Sequence, residues 1–478
     1  MVFIFLKHMS RRQRKRKTAQ NLEIMGMHSS GKGWTLFQGR KVYFPYTLPG
    51  EIISGEIIYG GSEFLTGNLI SIEKPHPQRR THICKHSGLC GGCSWQHIQY
   101  PFQLQLKHQI LSDALNHKGI PFKEIKPVVP SKNEFFYRNQ IEFSFSAQRW
   151  FYDEEGKIDD LKERQAVGFN VSQLSDRIID ITKCYLQPEP SVFIARQVKK
   201  IAQSLNLSFF DFKDGRGMLR SLKILQDSTH RVILMLGFAS QPNEAAFSLL
   251  EHLSTELPDV KSVFWKVYSN PFKAFGEKEI HCFEGDDRFL TMNDIDGFSL
   301  RVNPRSFFQT NRFIAPELFR YVAQKAEVKA DDTIYDLYCG TGVLGIRLAK
   351  QAKKIIGIEF SKAAIEDAKE NAILNGVHNC TFVQGDVLTT LTVDFIKKYG
   401  HPDIVIIDPP RSGTLIEIKK ILLLESPQKI IYVSCNPQAL ARDLQMLILK
   451  YEIEEIQPFD MFPQTPHIET VVVLNLKK

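Results

Sequence analysis

TIYDLYCGTGVLGIRLA, Thr333–Ala349, reads as a short apolar strand, a glycine turn and a helix in unbroken succession. The strand closes on an acid, Asp336, and the turn Cys339-Gly340-Thr341-Gly342 lets the backbone approach a ligand closely. The next stretch, IIGIEFSKAAIEDAKENAILNG (Ile355–Gly376), repeats strand and helix and is stopped by Asn375-Gly376. CTFVQGDVL, DIVIIDPP and KIIYVSC supply further strands. Strand alternating with helix from about Leu300 onward predicts a doubly wound α/β domain on a mostly parallel sheet.

In such sheets ligands bind beyond the carboxyl ends of the strands. Glu359 ends the second strand, where an acid accepts both hydrogen bonds of a ribose diol, and Asp386 follows the third, facing an adenine edge. Asp408-Pro409-Pro410 ends the next. A G-x-G turn with an acid after each successive strand suits a nucleoside without a phosphate cradle, which points to S-adenosylmethionine (SAM). Ile430–Pro437, IIYVSCNP, adds a thiol: Asn436-Pro437 cannot continue a strand, so Cys435 sits where the chain turns. Carbon 5 of a pyrimidine is a poor nucleophile until a thiolate adds to carbon 6, after which a base must remove the C5 proton. Cys435 fits the first role. Glu469 and His467, in FDMFPQTPHIET ahead of the closing strand VVVLNL, are both candidates for the second.

The front half has a different grammar. Leu22–Glu73 reads as short, glycine-punctuated strands, the pattern of a small β-barrel, with Lys32, Arg40 and Lys41 in its outward polar set. Cys84-x5-Cys90-Gly91-Gly92-Cys93 follows, with Cys184 available as a fourth thiol. Such a set suits zinc or an iron–sulfur cluster, and spacing does not choose between them. His82, His86 and His97 are near enough to ligate zinc, but with a fourth cysteine available they are read as surface or RNA-facing residues. Pro101–Lys118 has helical apolar spacing, and hairpins are expected in Ala166–Asp180 and across Met218–Phe238. The net charge is +8, with RRQRKRK at Arg11–Lys17 read as a disordered basic tail that attracts phosphate backbones. Eight cysteines in 478 residues, without a secretory signal, are no disulfide scaffold. The apolar Met1–Leu6 precedes its basic residues, the reverse of a secretory leader, so a cytoplasmic chain without a membrane span is expected.

Taken together, the cysteine set, NPRSFFQTN (Asn303–Asn311), DLYCGTG, DPPRSG, SCNP and FPQTPHIE resemble the RNA 5-methyluridine methyltransferases. The barrel and the cysteines favour the branch that modifies 23S ribosomal RNA over the transfer-RNA branch. The resemblance implies a multidomain chain: a basic tail (1–19), an OB-like TRAM β-barrel (20–75), a central α+β RNA-binding domain (76–295) and a Rossmann-like methyltransferase domain (296–478). It implies Cys435 as nucleophile, Glu469 as base, and Gln309, Tyr338, Gly340, Gly342, Glu359, Asp386 and Asp408 around SAM. Cys84, Cys90, Cys93 and Cys184 would hold a [4Fe-4S] cluster. The partner would be RNA, ribosomal first and transfer RNA second, and the chain a monomer. Two residues depart from the family pattern: Val343 where an asparagine can follow G-x-G, and Pro466 where a glycine can precede His-x-Glu. Cytosine C5 methylation and a non-catalytic RNA-binding protein are the alternatives; the Asp-Pro-Pro-Arg and His-x-Glu contexts oppose the first, and the pairing of Cys435 with Glu469 the second.

Overall fold

The computed structural model describes residues 16–59, 64–151, 160–172, 176–227, 231–257, 259–272, 277–285, 291–293 and 297–478, with backbone alone at 277–278 and 291–293. The basic run up to Lys15 lies outside these residues. Arg16–Ala19, expected as tail, begins a strand instead: Arg16–Glu23 pairs antiparallel with Ile52–Ile58. Its side chains are mostly exposed and its pairing is through the main chain, which charge composition cannot register.

The first sheet has six strands in the spatial order Arg16–Glu23, Ile52–Ile58, Leu65–Lys74, Arg40–Phe44, Gly33–Phe37, Gly26–Met27. Its two edge strands are neighbours in the chain, joined only by Ile24-Met25. Three Cα steps reach about 11 Å, whereas six flat strands would span roughly 24 Å. The sheet therefore curls until its edges meet, around Val42, Phe44, Ile53, Ile57, Leu65 and Leu69.

A seven-stranded mixed sheet follows, running from Glu277–Gly285 at one edge to Ile178–Asp180 at the other. Both expected hairpins are present, Ala166–Asn170 with Ile178–Asp180 and Leu219–Gln226 with Val232–Phe238. Val232–Phe238 and Val260–Tyr268 run parallel, joined through the crossover helix Glu244–Thr255. That helix and Ser191–Ser204 cover one face around Val198, Leu222, Leu234 and Leu249.

The third sheet, again of seven strands, has the order Cys380–Gln384, Lys354–Glu359, Thr333–Leu337, Ile404–Ile407, Lys429–Ser434, Glu469–Leu476, Tyr451–Phe459. The first five are parallel and Glu469–Leu476 runs against them. The helix Tyr100–His117, assigned by sequence position to the central region, packs here: Leu111, Ala114 and Leu115 share a core with Tyr335, Tyr432, Leu440 and Val472. The chain after it lies along the sheet's last strand, with Lys126 and Val129 donating N–H bonds to Ile456 (3.0 Å) and Pro458 (2.9 Å). That covers an otherwise open edge. A hairpin of Thr291–Asn293 with Ser299–Arg301 also straddles the expected boundary at 295/296. Among the described residues, no helix is long and apolar enough to cross a membrane.

Candidate active site

Strand register gathers the site. Leu337 lies opposite Ile358 and Ile407, and Ile407 opposite Tyr432. Tyr338, Glu359, Asp408 and Cys435 thus reach one edge of the sheet, at or just past the strands' carboxyl ends. The antiparallel strand enters that edge from the other direction, pairing Thr470 with Ser434. One residue further outward on each strand, Cys435 faces Glu469.

Their charges feel each other. Burial pushes the Cys435 thiol up to about 12, Glu469 and Asp408 add to it, and the Arg411 guanidinium opposes. Glu469 is 4% exposed; burial, then Asp408, raise its carboxyl well above the usual range, again against Arg411. Burial also lifts Asp408 to about 7, although the residue keeps part of its surface open to the cleft. Asp336 is 1% exposed and is likewise pushed to about 7 by burial, with Asp408 and Glu359 adding and the Gly345 N–H (3.0 Å) opposing. Its Oδ1 has no hydrogen-bond partner. Desolvated acids that raise one another's proton affinity are complementary to a cation, such as the sulfonium and ammonium groups of a SAM-like ligand.

Of the remaining expected ligand-binding residues, Tyr338, Gly340, Gly342, Glu359 and Asp386 follow the strands at the same edge. Tyr338 and Gly340 both adopt left-handed backbone (φ 64° and 52°), and a side chain added at Gly340 would enter open space. Gly342 (φ 79°) differs: a Cβ there would lie 2.9 Å from Phe382 and 3.0 Å from Ala368, so helix-to-strand packing also requires its glycine. Val343 is buried in the core and presents no polar group. Glu359 accepts the Gly340 and Ser361 N–H groups (3.2 and 2.8 Å), fixing the turn relative to the second strand. Asp386 caps the helix Val387–Thr390 through the Leu388 N–H (2.8 Å). Buried Gln309 sits on a loop held by Asn139, whose side-chain amide donates to the Gln309 carbonyl at 2.8 Å. Its loop is tied toward the turn by Asn371, which bonds the carbonyls of Arg301 (3.0 Å) and Thr341 (3.2 Å). His467 reaches the surface with its ring against Phe462 and is pushed down to about 4, by burial first and then by Arg411 and Lys107.

Away from this edge, Cys84, Cys90, Cys93 and Cys184 line one cavity of about 20 Å³, all as free thiols. Burial raises Cys93 to about 12, and Cys184 and Cys84 add to it; Cys90 is raised by burial and by the same neighbours. Among the described residues, no group of three or more His, Cys, Asp and Glu side chains is arranged to hold a metal ion. His86 and His97, expected at the surface, are buried at 2% and 5% exposure. The Cys-Gly-Gly-Cys-Ser-Trp-Gln-His run turns inward, and Tyr46 of the barrel closes over the His97 ring at 5.7 Å.

Four contributors escaped the residue-by-residue reading. Asp336 was visible only as the acid before a turn. Arg411 carries the positive charge facing Cys435 and Glu469, and Asn436 holds it by donating to its carbonyl (2.9 Å) while capping the helix Pro437–Leu447. Asn before Pro at a helix start was the available signal for Asn436. Gln464, in the loop before Glu469, had none.

Desolvated acids gathered at the carboxyl ends of a mostly parallel sheet, at its topological switch point, are the arrangement of the SAM-dependent methyltransferase class. The comparisons narrow this. Residues 286–477 match the family model described as tRNA (Uracil-5-)-methyltransferase. Proteins described as uncharacterized RNA methyltransferases from Bacteroides thetaiotaomicron and Porphyromonas gingivalis are both 34% identical, covering 94% and 95% of this chain and 100% and 99% of theirs. The crystal structure of the Pyrococcus abyssi tRNA (uracil-54, C5)-methyltransferase with S-adenosyl-L-homocysteine matches at TM-score 0.74 and 27% identity, over 95% of this chain and 99% of that one. This chain belongs to the RNA (uracil-5-)-methyltransferase family.

Proposed function

We propose that the chain methylates C5 of a uridine in structured RNA through a covalent Cys435–uracil C6 adduct, with Glu469 as the base. The observation that carries this is the strand register: Ser434 pairs with Thr470, so Cys435 and Glu469 both adjoin that pair, and Glu469 and Asp408 act on the Cys435 thiol. SAM supplies the electrophilic methyl group. Asp336, Gln309, Tyr338, Gly340, Glu359, Asp386 and Asp408 would hold it, with Gly342 shaping the turn beneath. The Cys435 thiolate bonds to C6 of a base flipped out of its helix, and the displaced C5–C6 pair builds carbanion character at C5. That pair forms the new C–CH3 bond, and the methyl's former electrons stay on the departing sulfur. Glu469 then accepts the C5 proton; the C5–H pair restores the C5–C6 double bond, the C6–S bond breaks, and Cys435 leaves as thiolate. A carboxyl held well above its usual range is a stronger proton acceptor for this last step.

In the front half, we read the barrel as a TRAM-like RNA grip, supported by Lys41 over Trp34 (4.7 Å) and Lys17 over Phe37 (5.3 Å). Cys84, Cys90, Cys93 and Cys184 would hold a [4Fe-4S] cluster, which would tie the Cys84–Cys93 loop to the Cys184 loop. Four free, desolvated thiols around one cavity support a shared metal centre there. Large-subunit ribosomal RNA remains the first substrate proposed. A transfer-RNA uridine is the second reading, because a protein named for tRNA uracil-54 matches 95% of this chain.

The test is incubation with SAM and 5-fluorouridine-containing RNA, followed by a denaturing gel. Fluorine at C5 blocks the final elimination, so a shifted RNA–protein band absent in Cys435→Ala is expected. No band, and no 5-methyluridine from ordinary RNA, would overturn the proposal. Mass mapping of ribosomal and transfer RNA from a deletion strain separates the two substrates.

A further inference from the structure

The loop Asp460–Ile468, which delivers Glu469 to the site, is held by residues distant in the chain. Asn311 donates to the Met461 carbonyl (3.1 Å), Lys107 to Phe462 (3.0 Å), Tyr137 to Pro463 (3.0 Å) and the Trp95 N–H to Gln464 (3.0 Å). Four successive carbonyls are thus taken by donors from outside the closing hairpin. Gln464 sits at the centre, fully buried and in left-handed backbone (φ 68°), which a residue with a side chain rarely adopts. Its amide is matched on both sides. Oε1 accepts from Gln103 (3.0 Å) and Arg80 (3.1 Å), and Nε2 donates to Glu134 (2.9 Å). Its backbone N–H donates to Gln103 Oε1 (3.0 Å).

These partners lead to the cysteine segment. Trp95 follows Cys93 by two residues, and its indole N–H donates to the Gly31 carbonyl of the barrel (3.0 Å). Gln96 receives the Cys84 N–H (3.3 Å), and its carbonyl accepts from Arg80 (3.1 Å). Pro466 closes the arrangement: a Cβ at Gly31 would lie 2.9 Å from its ring and from Trp95. The proline that departs from the family pattern therefore seats the loop on the barrel.

Cys435 does not follow this loop in the chain: it extends the fully buried central strand Lys429–Ser434. Glu469 does, as the first residue of its strand after the loop. We propose that Gln464 is a positioning residue through which the cysteine-bearing segment sets Glu469, so that it governs proton removal and adduct release, not adduct formation. The inference rests on the roles proposed above for Cys435 and Glu469.

The experiment compares Gln464→Ala, Gln464→Asn and Glu469→Gln on ordinary, unfluorinated RNA with SAM. Misplacing a catalytic group by about an ångström costs up to about 100-fold in rate. Gln464→Ala is expected to lose about 10- to 100-fold in turnover, with KM for RNA and SAM within about twofold and a denaturation-resistant, methylated RNA–protein adduct accumulating. Glu469→Gln should show the same adduct, and Gln464→Asn, which keeps the amide and tolerates left-handed backbone, should recover turnover in part. If Gln464→Ala does not fold, Gln103→Met, which removes the amide partner, reads the same step. Turnover lost without adduct, or wild-type turnover in Gln464→Ala, overturns the inference. Free product release by Glu469→Gln overturns the base assignment beneath it.

Discussion

Replacing Asp336 by Asn should make the ligand-free protein more stable as pH rises while removing its affinity for SAM. The carboxyl is 1% exposed and raised from 3.8 to about 7, burial being the largest cause. An acid raised in the folded state adds no cost below its unfolded value, where both states are protonated. The cost grows as pH climbs from 3.8 to 7 and is complete above 7, because unfolding then releases the charge to water. At about 1.4 kcal/mol per tenfold change in proton affinity, the full cost is about 4 kcal/mol. Asn keeps an oxygen for the Gly345 N–H and carries no charge, so its stability is flat over this range. The gap between variant and wild type should therefore widen by about 3 kcal/mol from pH 5 to pH 8. At roughly 2–4 °C per kcal/mol for a cooperative unit of 150–250 residues, that is on the order of 5–10 °C in Tm. Thermal melts across this pH range measure it. SAM should stabilise the wild type increasingly as pH rises, because in the proposed binding mode its cation would meet the unpartnered Oδ1, and should leave the variant unmoved. A gap independent of pH, or equal stabilisation of both proteins by SAM, would refute the reasoning.

Lys107 and Asp460 form a fully buried ion pair that anchors the loop before Glu469. Lys107→Met should cost about 3–5 kcal/mol by stranding a buried carboxylate, and adding Asp460→Asn should return most of it; urea unfolding of both variants checks this. Anaerobic purification should yield a brown protein with broad visible absorbance that Cys184→Ala loses, whereas a colourless zinc-loaded protein would refute the cluster. Burial and Glu469 push the Cys435 thiol up to about 12, so single-turnover adduct formation should rise with pH between about 6 and 9; a flat or falling profile counts against Cys435 as the attacking group.

The C-terminal sheet was readable because each strand carries its own apolar run and each turn its own glycine or proline. The acids at Glu359, Asp386 and Asp408 follow those strands directly, so local order in the chain became spatial order at one edge. Cys435 and Glu469 are individually visible in the residues, and only the family resemblance pairs them. Their meeting depends on the antiparallel return of Glu469–Leu476 and on its register, which no local pattern specifies. Between Glu469 and His467 the residues alone express no preference; in the structure Glu469 is buried at the first position of its strand, and burial and Arg411 hold His467 down at about 4. Errors arose where partners were non-local. Arg16–Ala19 looked like tail because main-chain pairing leaves exposed side chains unchanged. The helix Tyr100–His117 was recognised as amphipathic, but an apolar stripe does not name the sheet it will cover. His86 and His97 looked solvated because their burial is imposed by the barrel and the cysteine segment folding over them.

Sequence alone thus determined the sheet type, the acid-bearing edge and the thiol at a strand's carboxyl end, because strands, turns and their terminal residues are set by near neighbours. Only the tertiary structure decided which acid faces Cys435, which helix belongs to which core, and how the loop before Glu469 is held. Those outcomes rest on register and on hydrogen bonds spanning hundreds of residues, such as Gln103 to Gln464, and chain entropy lets such contacts form only once the whole molecule has folded.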